Sequence, residues 1–172
     1  MAQLKWFNRK FDFSNNQNIF PLILERLKGT PVLLEYEISI ISEQDLRLKP
    51  EGTWSILENI GHLIDLEPIW LGRLQDILQG DEIMRTIDLE NTKTHLADHN
   101  LRNTKDLVKE FMEVRSVLTG HLEKLTNEEV FKSSLHPRLN TPMRIMDLFL
   151  FVAEHDDHHL ATINQIVNSI KE

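Results

Sequence analysis

The feature that most constrains this chain is the three- and four-residue spacing of its apolar side chains, which recurs in four long segments. These segments cover about residues 18–44, 54–78, 104–125 and 142–170. The spacing places one apolar stripe along each segment, as in an amphipathic helix. Apart from a short FDF near the start, no stretch shows the alternation expected of a strand. Because four amphipathic helices of this length are what a four-helix bundle requires, the sequence predicts an all-α fold of that type.

Local signals predict where some of these helices begin and bend. Gly29-Thr30-Pro31 interrupts the first segment, and we expect a kink or a break there. Ser55 to Glu58 fit a capping box, so Glu58 is interpreted as a capping residue rather than a site residue. Thr141 and Pro142 fit the N-cap and the first position of the last helix. The connector before them, FKSSLHPRLNTP, is expected to be irregular.

Length and composition narrow the class of protein. The 172 residues fit one domain, 1–172. A net charge of −8 opposes nucleic-acid binding, which depends largely on neutralising phosphates. No apolar run approaches the roughly 18 residues of a membrane span, and the N-terminus lacks a secretory signal, so we expect a cytoplasmic location. Because the chain has no cysteine, a metal site would use His, Asp or Glu, and a thiol would come from outside.

The stretch EHDDHHLATI, residues 154–163, concentrates three histidines in the last helix. At about 100° per residue, His155 and His159 fall on or at the edge of the apolar stripe. His158 points towards the polar side, and the two aspartates of the run are expected at the surface or outside the ligand shell. Two histidines four apart can reach one metal ion, although the same spacing also arises by chance.

A third histidine lies on the apolar face of the second helix. His62 shares that face with Leu66, Ile69 and Trp70. A lone histidine there is usually a hydrogen-bonded core residue. If the second and last helices pack together, however, three imidazoles could converge and leave a fourth coordination position open, as in catalytic sites. Gly61 would allow another helix to approach closely at this level.

Acidic residues near His62 supply one catalytic candidate. Asp65, one turn after His62, could act as an acid or base, or as an outer partner of a ligand. The alternative is that Asp65 is solvated. The chain lacks HExxH, Glu-x-x-His, GxSxG, P-loop and GxGxxG motifs, which disfavours the enzyme classes that use them.

The remaining histidines carry weaker signals. His95 and His99 are four apart but lie in a polar stretch, and we interpret them as surface residues. His121 and His136 are expected to be structural or exposed, although His136 could approach the site if its loop folds back.

Several of these segments together resemble one protein family. IGHLIDLE on the second helix and HPRLNTPMRIMDLFLFVAEHDDHHLATI towards the last are similar to the DinB-like superfamily of bacterial four-helix metalloproteins. KWFNRKFDFS and LERLKGTPVLLEYEI resemble one branch of it, so the resemblance spans nearly the whole chain. The family motif, one histidine on the second helix and H-x-x-x-H on the fourth, maps onto His62, His155 and His159.

The resemblance implies a divalent metal, often zinc or nickel, held by these three histidines with water completing the shell. It also implies a homodimer with a small-molecule substrate. Characterised relatives are mostly metal-dependent thiol transferases, together with a mycothiol-dependent isomerase. We therefore expect an enzyme that activates a bacillithiol-, mycothiol- or glutathione-type thiol for S-transfer to an electrophile. A metal-stabilised, non-catalytic binding or stress-response bundle and a metal-hydroxide hydrolase remain the alternatives.

Overall fold

Four long helices form a bundle in the computed structural model, which describes residues 3–13, 16–50 and 52–171. The helices and strands, in chain order, are α1 (Phe20–Ile38), α2 (Glu43–Leu46), α3 (Ile56–Gln79), α4 (Thr92–Leu96), α5 (Thr104–Leu122), β1 (Ser133–His136), β2 (Thr141–Arg144) and α6 (Ile145–Lys171). Single turns of 3₁₀ helix occur at Trp6–Asn8, His99–Leu101 and Glu129–Phe131. The predicted all-α four-helix bundle is confirmed, with α1, α3, α5 and α6 as its long helices.

The packing of the long helices determines which faces meet. α1 packs against α5 and α6, and α3 packs against the same two helices. Therefore α1 and α3, although consecutive long helices in the chain, lie diagonally across the bundle. The apolar stripes of all four long helices meet in the core. It includes Leu27, Trp70 and Phe149 towards one end of the bundle, and Ile60 and Phe111 towards the other. Among the described residues, no helix is long and apolar enough to cross a bilayer.

Pro31 lies inside α1, which continues past it to Ile38, so the predicted break is wrong, and its alternative, a kink, stays a prediction. Proline has no N–H to donate to the carbonyl four residues earlier, which is that of Leu27. Nη1 of Arg115 on α5 donates to this carbonyl oxygen at 3.2 Å. The carbonyl that Pro31 leaves free is thus satisfied by a neighbouring helix.

Arg115 also anchors a buried ion-pair network between three helices. Its guanidinium donates to Oε1 of Glu67 on α3 at 2.8 and 2.6 Å, and to both carboxylate oxygens of Asp156 on α6. Thr30 Oγ1 donates to Asp156 as well, at 3.1 Å. Asp156 is completely buried, so of its two predicted positions, at the surface or outside the ligand shell, the surface position is wrong. Asp157, in contrast, is exposed and pairs with Arg26.

A short hairpin replaces the irregular connector predicted before the last helix. β1 pairs with β2 in antiparallel register, with His136 opposite Thr141, so the predicted N-cap and N1 roles of Thr141 and Pro142 are wrong. Leu135 exchanges backbone hydrogen bonds with the segment that follows α3, donating to the Glu82 carbonyl and accepting from the Met84 N–H. These bonds hold the hairpin against α3 and bring His136 over that helix.

The other local predictions have mixed outcomes. The capping box at the start of α3 is confirmed: Ser55 Oγ accepts the Glu58 N–H at 3.1 Å, and Glu58 Oε2 accepts the Ser55 N–H at 2.9 Å. The FDF stretch, residues 11–13, is not a strand. Phe11 packs instead against Phe151 of α6, with ring centroids 5.0 Å apart.

Candidate metal centre

Three buried histidines converge where α3 faces α6. His62 comes from α3, and His155 and His159 come from successive turns of α6. Each offers one ring nitrogen, and these nitrogens all lie within 4.8 Å of one another. Nε2 of His155 and Nε2 of His159 are 3.3 Å apart. The three residues that the sequence singled out as ligands are therefore brought together by the fold.

The hydrogen bonds behind two of these rings fix which nitrogen carries the proton. Nδ1 of His159 is 2.8 Å from Oδ1 of Asn59, whose amide nitrogen donates to the Ser55 carbonyl at 2.8 Å. Nδ1 of His62 is 3.2 Å from Oγ1 of Thr94, whose hydroxyl donates to Asp65 at 2.9 Å. In both pairs the imidazole must be the donor, because the partner oxygen accepts. Both rings therefore keep an unprotonated Nε2.

His155 completes the group with a nitrogen that lacks a partner. Its Nδ1 is buried without a hydrogen bond among the described residues, and its Nε2 faces that of His159. If His155 carries its proton on Nε2, its Nδ1 lone pair is unsatisfied; if on Nδ1, two bare Nε2 atoms face each other. Buried polar atoms are rarely left in this state. A cation bound to both Nε2 atoms would remove the contact between their lone pairs, although the Nδ1–H of His155 would still lack a partner among the described residues. The 3.3 Å separation suits two ligands with metal–nitrogen bonds of roughly 2.0–2.1 Å.

The protonation of the rings also suits a metal. Burial lowers the pKa of His62 to about 4. Burial, and then the neighbouring histidines, hold the pKa of His155 and of His159 well below the ordinary value. The imidazoles are therefore neutral near pH 7, and neutral imidazole is the form that ligates zinc and related ions.

Asp65 lies behind His62 rather than beside the nitrogens that face the metal position. Its buried carboxylate accepts from Thr94, from Nε2 of His99 at 2.8 Å and from Nζ of Lys93 at 3.1 Å. Burial raises the pKa of Asp65, but these hydrogen bonds lower it below its ordinary value overall. The carboxylate reaches His62 only through the Thr94 hydroxyl, so the contacts describe a group that positions a ligand. The predicted catalytic role stays a prediction.

His99 corrects the interpretation of the polar stretch after α3. It is only 3% exposed, not a surface residue, and its ring lies directly against Gly61. A Cβ atom on Gly61 would come within 2.1 Å of Cγ of His99. The close approach that Gly61 permits is therefore made by the His99 ring, where the sequence predicted another helix.

The remaining histidines differ in their exposure. His95 and His121 are exposed, as expected for His95. His158 is half-buried, and its Nδ1 is 2.7 Å from the side-chain amide nitrogen of Gln3. His136 is 1% exposed, and the hairpin does bring it towards the site.

A cavity of about 180 Å³ opens beside the three histidines. Its wall includes Trp6, Trp54 and Trp70, which are all the tryptophans of the chain. His136 and Arg138 come from the hairpin, and Asp88 supplies the only carboxylate among the described lining residues. The cavity thus combines an aromatic wall with a side where positively charged groups outnumber the single carboxylate of the described lining residues.

Arg73 lines the same cavity and was missed from the sequence. It follows His62 by eleven residues, which is close to three helical turns, and so lies on the same face of α3. The signal that could have found it is a charge on an otherwise apolar stripe.

Comparison with known proteins agrees with this geometry. A family model described as the DinB superfamily matches residues 26–163. The solved structure of YfiT from Bacillus subtilis superimposes with a TM-score of 0.80 at 20% sequence identity, covering 95% of this chain and 94% of that one. YfiT is described as a probable metal-dependent hydrolase with an unusual four-helix bundle topology. No curated protein matches this chain significantly in sequence.

Proposed function

The chain belongs to the DinB superfamily, and from that premise we propose that it is a metal-dependent enzyme that activates a low-molecular-weight thiol for S-transfer to an electrophilic small molecule. The observation that carries the proposal is the group of three buried neutral imidazoles at the wall of a cavity. His62, His155 and His159 would hold a divalent ion, with zinc or nickel as our expectation. When bound there, such an ion lowers the pKa of a thiol or of a water molecule that binds beside it.

The residues of the chain itself serve this chemistry by orientation. Asn59 holds the ring of His159, and the chain from Asp65 through Thr94 holds the ring of His62. Such outer partners fix ring direction and tautomer. The three tryptophans of the wall give the substrate an apolar surface and restrict water.

The composition of the cavity wall supports an external nucleophile. Among the described residues that line it, none is a serine, threonine or lysine, and the chain has no cysteine. Asp88, the only carboxylate among the described lining residues, already accepts the backbone N–H groups of Glu90 and Thr92. We therefore expect the nucleophile for group transfer to enter with a substrate, as a thiol or as water. In thiol transfer to an aryl chloride, the sulfur–carbon bond forms, chloride leaves, and the thiol proton passes to solvent.

The test has two parts. Elemental analysis of the purified protein beside His62→Ala and His159→Ala should show a stoichiometric metal that both variants lose; retention in both would refute the site. Metal-loaded protein is then incubated with bacillithiol, mycothiol or glutathione and a chlorinated aromatic electrophile. We expect the wild type to release chloride faster than His155→Ala with at least one thiol. Equal rates for the wild type and His155→Ala with each of the three thiols would refute the transfer reaction.

A hydrolase is the second candidate, and the description of YfiT favours it. The same protein samples, without thiol, are tested on an activated ester. Ester hydrolysis that requires His155, with no thiol transfer, would select this candidate. Metal-dependent stability without turnover in either assay would instead select the non-catalytic bundle.

The homodimer and the cytoplasmic location also stay predictions. Sedimentation of the purified protein over a range of concentrations tests the first. A fluorescent fusion imaged in cells tests the second.

A further inference from the structure

A buried arginine without a counter-ion lies in the wall of the cavity. Arg73 is 1% exposed. Its Nε donates to the Arg85 carbonyl at 3.2 Å, its Nη1 is 3.0 Å from Nε2 of His136, and its Nη2 has no partner among the described residues. It forms no ion pair with any described residue. Its Cζ lies 5.6 Å from the centroid of the Trp70 ring. A cation–π contact offsets only part of the cost of burying a charge without an anion.

The nearest compensating carboxylate is already occupied. Asp76, one turn along α3, accepts four hydrogen bonds from Arg85, one from its backbone N–H and three from its guanidinium. Asp76 therefore attracts Arg73 only at a distance, without a hydrogen bond. Burial lowers the pKa of Arg73 to about 10, and the positive charges of Arg138 and Arg85 act in the same direction.

The contact between Arg73 and His136 adds an independent observation. Nδ1 of His136 lies 3.2 Å from the backbone N–H groups of both Arg138 and Leu139, and accepts from them. A neutral ring that accepts at Nδ1 carries its proton on Nε2. Nε2 of His136 and Nη1 of Arg73 are then two donors that face each other, with no acceptor between them.

Together these groups describe a set of donors that lacks an acceptor. We propose that Arg73, with His136 beside it and Arg138 at the rim, forms an anion subsite that takes the carboxylate of a small substrate whose apolar body lies against the tryptophans. The planar guanidinium matches a carboxylate with two parallel hydrogen bonds. The assignment of this anion as substrate rests on the proposed function, whereas its binding does not require the metal.

The three tryptophans make binding directly measurable. Because all of them line the cavity, a ligand that enters it changes the intrinsic fluorescence of the protein. Metal-free protein is titrated with benzoate and with benzamide, which has nearly the same shape without the charge. We expect benzoate to bind at least about tenfold more tightly, which corresponds to about 1.4 kcal/mol. Equal affinities would overturn the proposal, and this comparison needs no variant to fold.

Variants then locate the subsite. In Arg73→Met we expect benzoate affinity to fall about tenfold or more while benzamide affinity stays the same, and Arg73→Lys should lie between Arg73→Met and the wild type. Arg102→Met, in which the arginine lost pairs with Glu110 away from the cavity, is the matched control. Unchanged benzoate affinity in a folded Arg73→Met would place the anion elsewhere and refute the subsite. Because the protein is metal-free throughout, failure of the thiol-transfer assay leaves this result intact.

Discussion

A neutral imidazole donates from one nitrogen and accepts at the other, and the residues behind each ring of the site decide between the two. For His62, the Thr94 hydroxyl donates to Asp65 at 2.9 Å and therefore accepts from Nδ1 of the ring, which is 3.2 Å away. His159 uses the amide oxygen of Asn59 instead. His155 lacks such a partner among the described residues, so its orientation depends on packing against Trp6 and Trp70.

Removing the hydroxyl that joins Asp65 to His62 should weaken the metal site. In Thr94→Val the shape is kept, but the tautomer and direction of the His62 ring are no longer fixed. We expect zinc affinity, measured by competition with a chelating dye, to fall roughly 10- to 100-fold. Thr119→Val is the control, because that buried hydroxyl donates to carbonyls within α5 rather than to a side chain of the site. An equal loss in both variants would contradict the role of Thr94.

His136 should make the protein less stable in acid. Burial and the adjacent Arg73 lower its pKa to about 4, below the ordinary 6.5. A lowered histidine pKa means that stability is fully present above about pH 6.5 and is lost as pH falls towards 4. Between these values the free energy of unfolding of the wild type should fall more steeply than that of His136→Gln, by up to about 1.4 kcal/mol per pH unit. Parallel profiles in urea denaturation would show that His136 contributes nothing to this loss.

Helical phase explains which residues could be predicted. The apolar stripe correctly predicted that His155 and His159 are buried and that His158 is less so, because phase determines the direction of a side chain. Phase does not reveal what lies opposite a side chain, and this is why the burial of Asp156 was not predicted: its buried partner, Arg115, comes from another helix. The burial of His99 was not predicted for a similar reason. Its ring occupies the space beside Gly61, and that space is free because Gly61 has no side chain.

At the scale of elements, the contact between α3 and the His99–Leu101 turn depends on one missing methyl group. In Gly61→Ala the added Cβ would meet the His99 ring, so we expect a loss of about 1–3 kcal/mol in the free energy of unfolding. At Gly29 in α1 an added Cβ would meet nothing within 4 Å, so Gly29→Ala should instead gain about 0.5–1 kcal/mol from helix propensity. Chemical denaturation measures both. A neutral or stabilising Gly61→Ala would mean that the His99 ring is not held in place.

The ion-pair network between α3, α5 and α6 should be sensitive to the loss of its cation. Arg115→Met leaves Glu67 and Asp156 buried without their partner, and we expect a cost of about 3–5 kcal/mol in the free energy of unfolding. Arg102→Met, which breaks the half-exposed pair with Glu110, should cost at most about 1 kcal/mol. Similar losses in the two variants, measured by urea denaturation, would show that burial does not govern the network.

The β1–β2 hairpin could not be predicted from the pattern of residues in its own segment. Its strands have four residues each, too short to display a clear alternation. Thr141 and Pro142 also fit the N-cap and first position of a helix. What stabilises the strands is the backbone exchange between Leu135 and the segment after α3. That contact is tertiary, so the composition of the connector does not reveal it.

For the whole molecule, a metal at the three histidines should raise stability, because it would bind the folded state and join α3 to α6. At zinc concentrations about a thousandfold above Kd, the gain is about 4 kcal/mol, or roughly 10 °C in melting temperature for a chain of this size. Calorimetry of the stripped and zinc-loaded protein measures it. The His155→Ala variant should show no such shift, and an equal shift there would mean that zinc binds elsewhere.

The origin of the histidines along the chain has a consequence for biosynthesis. α3 supplies one member of the group, and α6, the last helix of the described residues, supplies the other two. Until a ribosome has synthesised His159, the three-histidine group is incomplete, and a metal ion cannot bind to all three residues. The three-histidine group is therefore completed only after the cavity wall that α3 contributes has been synthesised.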